Sequence, residues 1–418
     1  MVGEALYHAI QACRACGRAD FAPVISLGEQ ALTGWFPKGD DPDPRRAPLD
    51  VVRCTGCGLV QLRHSVRPER MYTRAYGYRS NINHTMREHL AGLARSATRM
   101  ASPSGGDVAL DIGCNDGTLL SSYTVPGLVR IGIDPLVGMF GAELTDGIVA
   151  REGFFTAPLF LDASGGRKAK IVTAISMFYD LEDPVAFAAD VASILDPAGV
   201  WIIEQSYLPH MLQENAFDTI CHEHLEYYGL AQIEFIARQN GLRVFDVALN
   251  RINGGSFRVH LCHDRGPFAT RTETLESLRR LEREMAMDGP GPYATFRDRV
   301  ARIRDDVRIL VVGEAARGKT IYAYGASTKG NVLLQYCGLD HRVIAAAADR
   351  NPSKWGARTP LTGIPIVSEH QARAARPDYF LVLPWHFRDE FVAREADFLA
   401  RGGRFIFPLP TVEVVGSR

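Results

Sequence analysis

The chain lacks an excess of either charge. Its 47 Lys and Arg stand against 48 Asp and Glu, giving a net charge of −1 over 418 residues. That balance argues against a protein whose main task is to grip a nucleic acid backbone, because phosphate binding needs cations in surplus. No apolar run approaches the ~20 residues that a bilayer span requires, and residues 1–17 show no basic start leading into an apolar stretch. Neither a transmembrane segment nor a signal peptide is visible. Two common fingerprints, GxGxxG and HExxH, are missing too. The chain reads as cytoplasmic, so its eight cysteines are not disulfides by default, and a pattern among them points to metal or catalysis.

What is present is the composition of a soluble globular protein, with 46% hydrophobic and 23% charged residues. At ~150 residues per domain the length suggests two or three domains. The first 70 residues are turn-rich, with Pro37, Pro42, Pro44 and Pro48 in one stretch, and residues 80–101 read as a helix. From Val108 the segments VALDIG, VRIGID, KIVTAI and GVWIIEQ read as buried parallel strands alternating with helices, as in a doubly wound sheet. A charged helical connector over 271–318, broken at Gly289-Pro290-Gly291-Pro292, leads to a second, smaller βαβ texture.

Cys13-x-x-Cys16 and Cys54-x-x-Cys57 form two knuckles 37 residues apart, each followed by a glycine, Gly17 or Gly58. Glycine permits the tight turn that aims backbone N–H groups at sulfur, and four tetrahedral thiolates suit a structural Zn2+. Four unrelated buried cysteines would show no such pairing. A closed four-thiolate site leaves no open coordination position, so the expected role is a staple for a small unit with little core. Cys114, Cys262 and Cys337 read as small core residues.

The run from Asp111 through Gly113, Asn115, Asp116 and Gly117 reads as a strand end, a glycine turn and a helix start. Its order is D-x-G-x-x-x-G. An acid two residues before the first glycine suits a cationic ligand portion, such as the aminoacyl end of S-adenosylmethionine (SAM), better than the pyrophosphate of NAD. Asp134, 21 residues after Gly113 at the end of the next strand, stands where an acid binds ribose hydroxyls. A plain tight turn is the competing reading for the loop alone.

Residues 218–228, DTICHEHLEYY, pack eight titratable side chains into eleven positions. Histidines two apart are a weak metal signal, whereas an imidazole beside a carboxylate suits acid–base chemistry. A core histidine pair bonded to backbone competes with that reading. The segment Tyr76-Gly-Tyr78-Arg79-Ser80-Asn81 reads either as the lining of a sugar pocket or as a loop with a helix cap at Ser80 or Asn81. Asn253-Gly-Gly-Ser-Phe-Arg258 reads as a hairpin turn that can also meet a substrate. Tyr179 follows a strand at the sheet edge where open α/β folds bind ligands, and Asp180, Glu182 and Asp183 beside it read as helix capping. Ser327-Thr-Lys329-Gly-Asn331 lacks the P-loop spacing, but its donors suit a phosphate at a helix start better than a bare cap.

In this order, over nearly the whole chain, these residues resemble the SAM-dependent C-methyltransferases that act on nucleotide-linked 4-keto deoxysugars. The carriers are the four paired cysteines, the 76–80 region, LDIGCNDG, HEHLEYY, NGGSFR and YGASTKGN. The resemblance implies an α/β chain with a zinc-binding domain over 1–75 and a Rossmann-like SAM methyltransferase domain over 76–270. A helical connector and a smaller Rossmann-like domain over 271–418 would hold the sugar nucleotide. The implied reaction is C-methylation beside the ketone, at C3 of a 4-keto-6-deoxy sugar. His224 would remove the C3 proton and Glu223 would orient it or bind a sugar hydroxyl. Tyr76, Tyr78, Tyr179 or His222 would donate to the enolate oxygen. Asp111, Gly113, Asn115, Asp116, Gly117 and Asp134 would bind SAM, and Tyr78, Ser80, Asn253, Arg258, Ser327, Lys329 and Asn331 the substrate. The chain departs from the family at Cys221, where tyrosine is common, and at Asp180, where histidine is common. A monomer or weak homo-oligomer without nucleic acid or membrane partners is expected. The alternatives are O- or N-methylation of the same kind of substrate, or a zinc-ribbon nucleic-acid methylase. The neutral charge balance counts against the latter, and the D-x-G order disfavours an NAD-dependent sugar oxidoreductase.

Overall fold

The structure, a computed structural model, describes residues 5–73, 79–140, 144 and 147–416. Tyr76 and Tyr78 lie outside the described residues.

The first unit is built on strands Phe21–Ala31, Arg46–Cys54 and Val60–Leu62, joined antiparallel. Strand Arg46–Cys54 alternates between buried and more open positions, as expected for a sheet with one core face. That face, with Val24, Leu27, Leu49 and Val51, joins one apolar cluster with Phe296, Val300, Val307 and Val311 of the long helix Gly291–Ala316. A fourth strand, Glu226–Tyr227, completes the sheet from far along the chain.

The middle unit is a seven-stranded sheet. Its order is Leu242–Asn250, Ser256–His263, Leu195–Ser206, Ala169–Ile175, Val108–Ile112, Val129–Asp134 and Ile148–Glu152. Ser256–His263 runs antiparallel to both neighbours, and the remaining pairings are parallel. Strand Val108–Ile112 is buried at every position because both faces of the sheet are covered, so its sequence is continuously apolar up to the acid at 111. The chain leaves this strand toward one sheet edge and returns on its other side, which opens a crevice at the carboxyl ends of Val108–Ile112 and Ala169–Ile175.

The third unit has strands in the order Ile366–Ser368, Ala346–Asp349, Ile321–Tyr324, Tyr379–Val382, Arg404–Phe407 and Glu413–Val415, with only the last antiparallel. Residues 313–320, GEAARGKT, match a P-loop pattern in letters. They run from the end of helix Gly291–Ala316 toward strand Ile321–Tyr324, the reverse of strand–loop–helix, and Lys319 pairs with Asp378 at 2.9 Å. No described helix is long and apolar enough to cross a membrane.

Helix Leu230–Gln239 begins after Gly229, which has no side chain to cap it. The buried Glu282, on helix Thr272–Glu284, supplies the cap instead: it accepts from the N–H groups of Leu230 and Ala231 at 2.5 and 3.2 Å, and from the Tyr207 hydroxyl at 2.9 Å. Glu282→Ala strands these donors and should cost roughly 2 kcal/mol. Thermal unfolding followed by circular dichroism should show a transition lowered by several degrees, and an unchanged transition would contradict the capping role.

Candidate functional site

The two cysteine knuckles close with the same hydrogen bond, Gly17 N–H to the Cys13 carbonyl and Gly58 N–H to the Cys54 carbonyl. They bring the four Sγ atoms of Cys13, Cys16, Cys54 and Cys57 within 4.8 Å of one another, with closest pairs at 3.5 and 3.6 Å. Tetrahedral zinc with Zn–S bonds of about 2.3 Å separates its sulfurs by about 3.8 Å, so the set fits that ion. Gly56 N–H points at Cys54 Sγ and the Gln61 amide at Cys13 Sγ, the outer support that thiolate ligands need.

At the sheet crevice lies a cavity of about 260 Å³ lined by Asp111, Gly113, Asn115 and Asp134. Gly113 adopts φ +71°, and a Cβ there would meet Met177 at 3.1 Å. Asp134 accepts the N–H groups of Asn115 and Leu136 at 3.0 and 2.7 Å, so it ties the loop to the end of the second strand. Asp111 accepts from the Thr173 hydroxyl at 2.6 Å, and burial pushes its carboxyl up to about 7. A cationic amino group beside it would restore the anion. Asp116 and Gly117 stand behind the cavity wall. Asp116 accepts from Asn81 N–H and the Thr118 hydroxyl, and Gly117 begins the short helix Thr118–Ser121. Phe154 and Phe155 also line the cavity and offer apolar faces to an adenine ring.

Residues 80–82 form a short turn whose N–H groups go to Asn115 and Asp116, and Ser80 lines this same cavity. The cap of helix His84–Ala101 is Asn83, not Ser80 or Asn81, through a 2.9 Å bond from Thr85 N–H. Asp183 caps helix Pro184–Ile194, as its position suggested, but Asp180 caps nothing: it accepts from the Tyr72 hydroxyl at 2.8 Å and lines the cavity.

The HEH segment divides. His224 Nδ1–H donates to the Thr219 carbonyl at 2.7 Å, which leaves the Nε2 lone pair uncommitted. Its ring lies 4.1 Å from that of Tyr179, and burial together with the cation of Lys329 pushes its pKa down to about 3, so the imidazole is neutral. His222 points elsewhere. Its Nε2–H donates to the Ala47 carbonyl at 3.0 Å, and burial pushes it down to about 4. Glu223, whose Oε2 is buried without a hydrogen-bond partner among the described residues, lines a separate cavity of about 420 Å³ with His222, Trp35, Arg45 and Arg70.

Lys329 Nζ donates to the Asn253 carbonyl at 2.8 Å, while the Asn253 amide lies 3.4 Å from Ser176 Oγ on the cofactor cavity. Burial lowers the Lys329 pKa, opposed by Asp218, which itself accepts from the Trp385 indole at 2.9 Å. These contacts bring Asn253 and Lys329 to the His224 side of the middle unit. They do not bring the other expected substrate residues there. Arg258 is paired with Glu204 at 2.7 Å, and the Asn331 amide donates to the Thr33 carbonyl at 3.3 Å. Ser327 caps helix Thr328–Cys337 and lines a third cavity, of about 250 Å³, at the carboxyl ends of the third unit's strands. The cations on that cavity are Arg79, Arg350, Lys354 and Arg394, while Lys329 is turned away. The strand-end run Asp349-Arg350-Asn351 carried a readable signal for this set. Arg394, on helix Arg388–Arg394, carried none.

The strand order, the cavity at the glycine loop and the thiolate cluster define a SAM-dependent methyltransferase with a zinc-binding unit. Three family profiles match in succession: a zinc binding domain over residues 13–72, a methyltransferase domain over 80–247 and a C-methyltransferase C-terminal domain over 251–410. The C-methyltransferase NovU of Streptomyces niveus is 34% identical over 412 residues, 98% of this chain and 97% of that protein. The chain belongs to this C-methyltransferase family, and its activity is SAM-dependent C-methylation. Among solved structures, the magnesium protoporphyrin IX methyltransferase ChlM from Synechocystis PCC 6803 is 15% identical at a TM-score of 0.34, over 45% of this chain and 90% of that one. The mitomycin 7-O-methyltransferase MmcR is 16% identical at a TM-score of 0.34, over 43% and 54%.

Asp134→Ala should weaken S-adenosylhomocysteine binding by about 10- to 100-fold, the worth of hydrogen bonds to a charged carboxylate. Isothermal calorimetry measures this directly, and a change below about twofold would separate Asp134 from the ligand.

Proposed function

We propose that the substrate is a nucleotide-linked 4-keto-6-deoxy sugar and that the methyl group is added at C3. The observation that carries this reading is the state of His224. It is a neutral imidazole with Nδ1–H committed to a carbonyl and Nε2 open; Lys329, whose charge acts on it, bonds Asn253, and the Asn253 amide lies beside Ser176 on the cofactor cavity. Such an imidazole has a lone pair for a proton but is a weak base, so the reaction it serves needs an acidic C–H, which the carbonyl at C4 provides at C3.

In this reading His224 Nε2 takes the C3 proton, and Tyr179, packed on the imidazole, holds its plane. Glu223 orients the segment or meets a sugar hydroxyl, and Tyr76, Tyr78 or Tyr179 donates to the developing oxyanion. His222 is committed to Ala47 and serves to anchor the segment. Bound SAM supplies the electrophilic methyl group that the C3 carbanion equivalent takes up. The nucleotide diphosphate fits the third cavity at the helix start of Ser327 and Thr328, where Arg350, Lys354 and Arg394, paired here with the lining acids Asp349, Glu369 and Glu390, would turn to the phosphates.

The test is incubation with SAM and a panel of nucleotide 4-keto sugars, with the new methyl located by NMR. A C3 methyl is expected, and His224→Ala should lose at least about 100-fold in kcat while still binding S-adenosylhomocysteine. A methyl on oxygen or nitrogen, or a fully active His224→Ala, would contradict the reading.

A further inference from the structure

Asp180 occupies a position that the cofactor chemistry leaves unexplained. It ends the short turn Phe178–Asp180 that follows strand Ala169–Ile175, so it stands at the crevice edge of the sheet. One side of it is the cofactor cavity, which it lines with Ser176, Met177 and Leu181. On its other side is the HEH segment: its neighbour Tyr179 packs on the His224 ring, and its carboxyl acts electrostatically on both Cys221 and Glu223. A methyl group passing from the cofactor to a carbon held at His224 must cross this boundary.

The two carboxyl oxygens of Asp180 are unequal. Oδ2 accepts from the Tyr72 hydroxyl at 2.8 Å, while Oδ1 is closed to water in this conformation and has no hydrogen-bond partner among the described residues, so a rotation about χ2 is what turns it toward a bound substrate. An anionic oxygen so placed would go unsatisfied, whereas a protonated one is a donor awaiting an acceptor. We infer that Asp180 is a further catalytic residue of this chain, a neutral carboxylic acid whose Oδ1–H hydrogen-bonds to the substrate oxygen as it gains negative charge. The inference rests on the enolate reading above. No proton need be transferred from Asp180. The C–H electron pair enters the enolate, the proton goes to His224 Nε2, and Asp180 contributes a hydrogen bond that strengthens as charge grows on oxygen.

The surroundings favour the neutral form. Burial raises the Asp180 pKa well above the usual carboxylate range, the Tyr72 bond opposes this and the Glu223 carboxyl adds to it. The groups packed around it are Tyr72 from the segment after helix Pro68–Met71, Cys221 and Glu223 from the HEH segment, Glu226 and Tyr227 from the added strand, and Glu182 on its own loop. Among the described residues the cation facing these outer carboxylates is Arg14, at 3.5 Å from Glu226 and 3.8 Å from Glu182. With two carboxyls facing each other, retention of one proton is the ordinary outcome.

The full-length holoenzyme tests this with two variants. Asp180→Asn keeps a neutral donor and should stay within about threefold of wild-type kcat, whereas Asp180→Ala should lose about 100-fold in kcat and, because Asp180 lines the cofactor cavity, a much smaller factor, below about fivefold, in S-adenosylhomocysteine affinity. Wild-type kcat should fall as pH rises and Asp180 ionises, and Asp180→Asn should lack that alkaline limb. If Asp180→Asn is as inactive as Asp180→Ala, or keeps the limb, the inference is overturned. Difference infrared spectra of wild type minus Asp180→Asn, with S-adenosylhomocysteine bound, read the same point without substrate. A protonated carboxyl band at pH 7.5 is expected, and a carboxylate band there overturns the inference. Failure of the substrate reading has a different signature: a wild type with no turnover of any 4-keto sugar.

Discussion

Two residues, Glu226 and Tyr227, pair antiparallel with Gln61 and Val60, and so a strand from the middle of the chain enters the sheet of the N-terminal unit. The pairing lies directly downstream of the HEH triplet. The residues just before it form a turn, closed by a bond from His224 N–H to the Cys221 carbonyl at 3.1 Å, and Leu225 N–H bonds the Tyr179 carbonyl at 2.7 Å, so the pairing and these bonds together fix which way each side chain faces. His222 and Glu223 face the N-terminal unit, and His224 faces Tyr179. The anchor is itself held by the metal site. Gln61 donates to Cys13 Sγ, and Arg14, inside the first knuckle, faces the buried Glu226 while bonding the Leu62 carbonyl and Ser65 hydroxyl at 2.9 and 2.6 Å. A charged pair out of water stabilises little unless its remaining polar atoms are used; here the Arg14 terminal nitrogens are used, while Arg14 Nε meets Glu226 only as a 3.5 Å ion pair and neither Glu226 oxygen has a hydrogen-bond partner among the described residues. A zinc ion held by the four thiolates would fix the knuckles on which this pairing rests.

The same burial that costs charge elsewhere produces the chemistry here. Burial and the cation of Lys329 hold His224 neutral with its Nε2 lone pair available, and the same two causes make it a weak base. Asp111 is raised toward neutrality until a cationic ligand group meets it. Lys329 is balanced by Asp218, whose second partner, Trp385, comes from the third unit. Through helix Thr328–Cys337 and Trp385 the third unit contributes to the electrostatics around His224.

Much of this was legible in residue spacing. The knuckles, the D-x-G turn and the crowded HEH run are local patterns whose chemistry depends on neighbours a few positions away, and the strand textures are similarly local. What was not legible depends on distant partners. Nothing in Glu226 or Tyr227 announces a strand that pairs with residues near position 60. Lys329 sits in a turn suited to phosphate, yet its long side chain reaches across to Asn253, leaving Arg350, Lys354 and Arg394 at the cavity. Asp180 read as a helix cap because of its place before Pro184, and only the Tyr72 contact removes it from that role. The P-loop letters of residues 313–320 show the converse, a pattern whose context denies it.

The central claim is that His224 generates a carbanion equivalent before any methyl group moves. Solvent deuterium wash-in measures this alone: a nucleotide 4-keto-6-deoxy sugar is incubated in D2O with the protein and S-adenosylhomocysteine in place of SAM, and the C3 proton is followed by NMR. The account predicts enzyme-dependent exchange at C3 that disappears in His224→Ala. Methylation at carbon without any such exchange, or exchange that persists in His224→Ala, would contradict it.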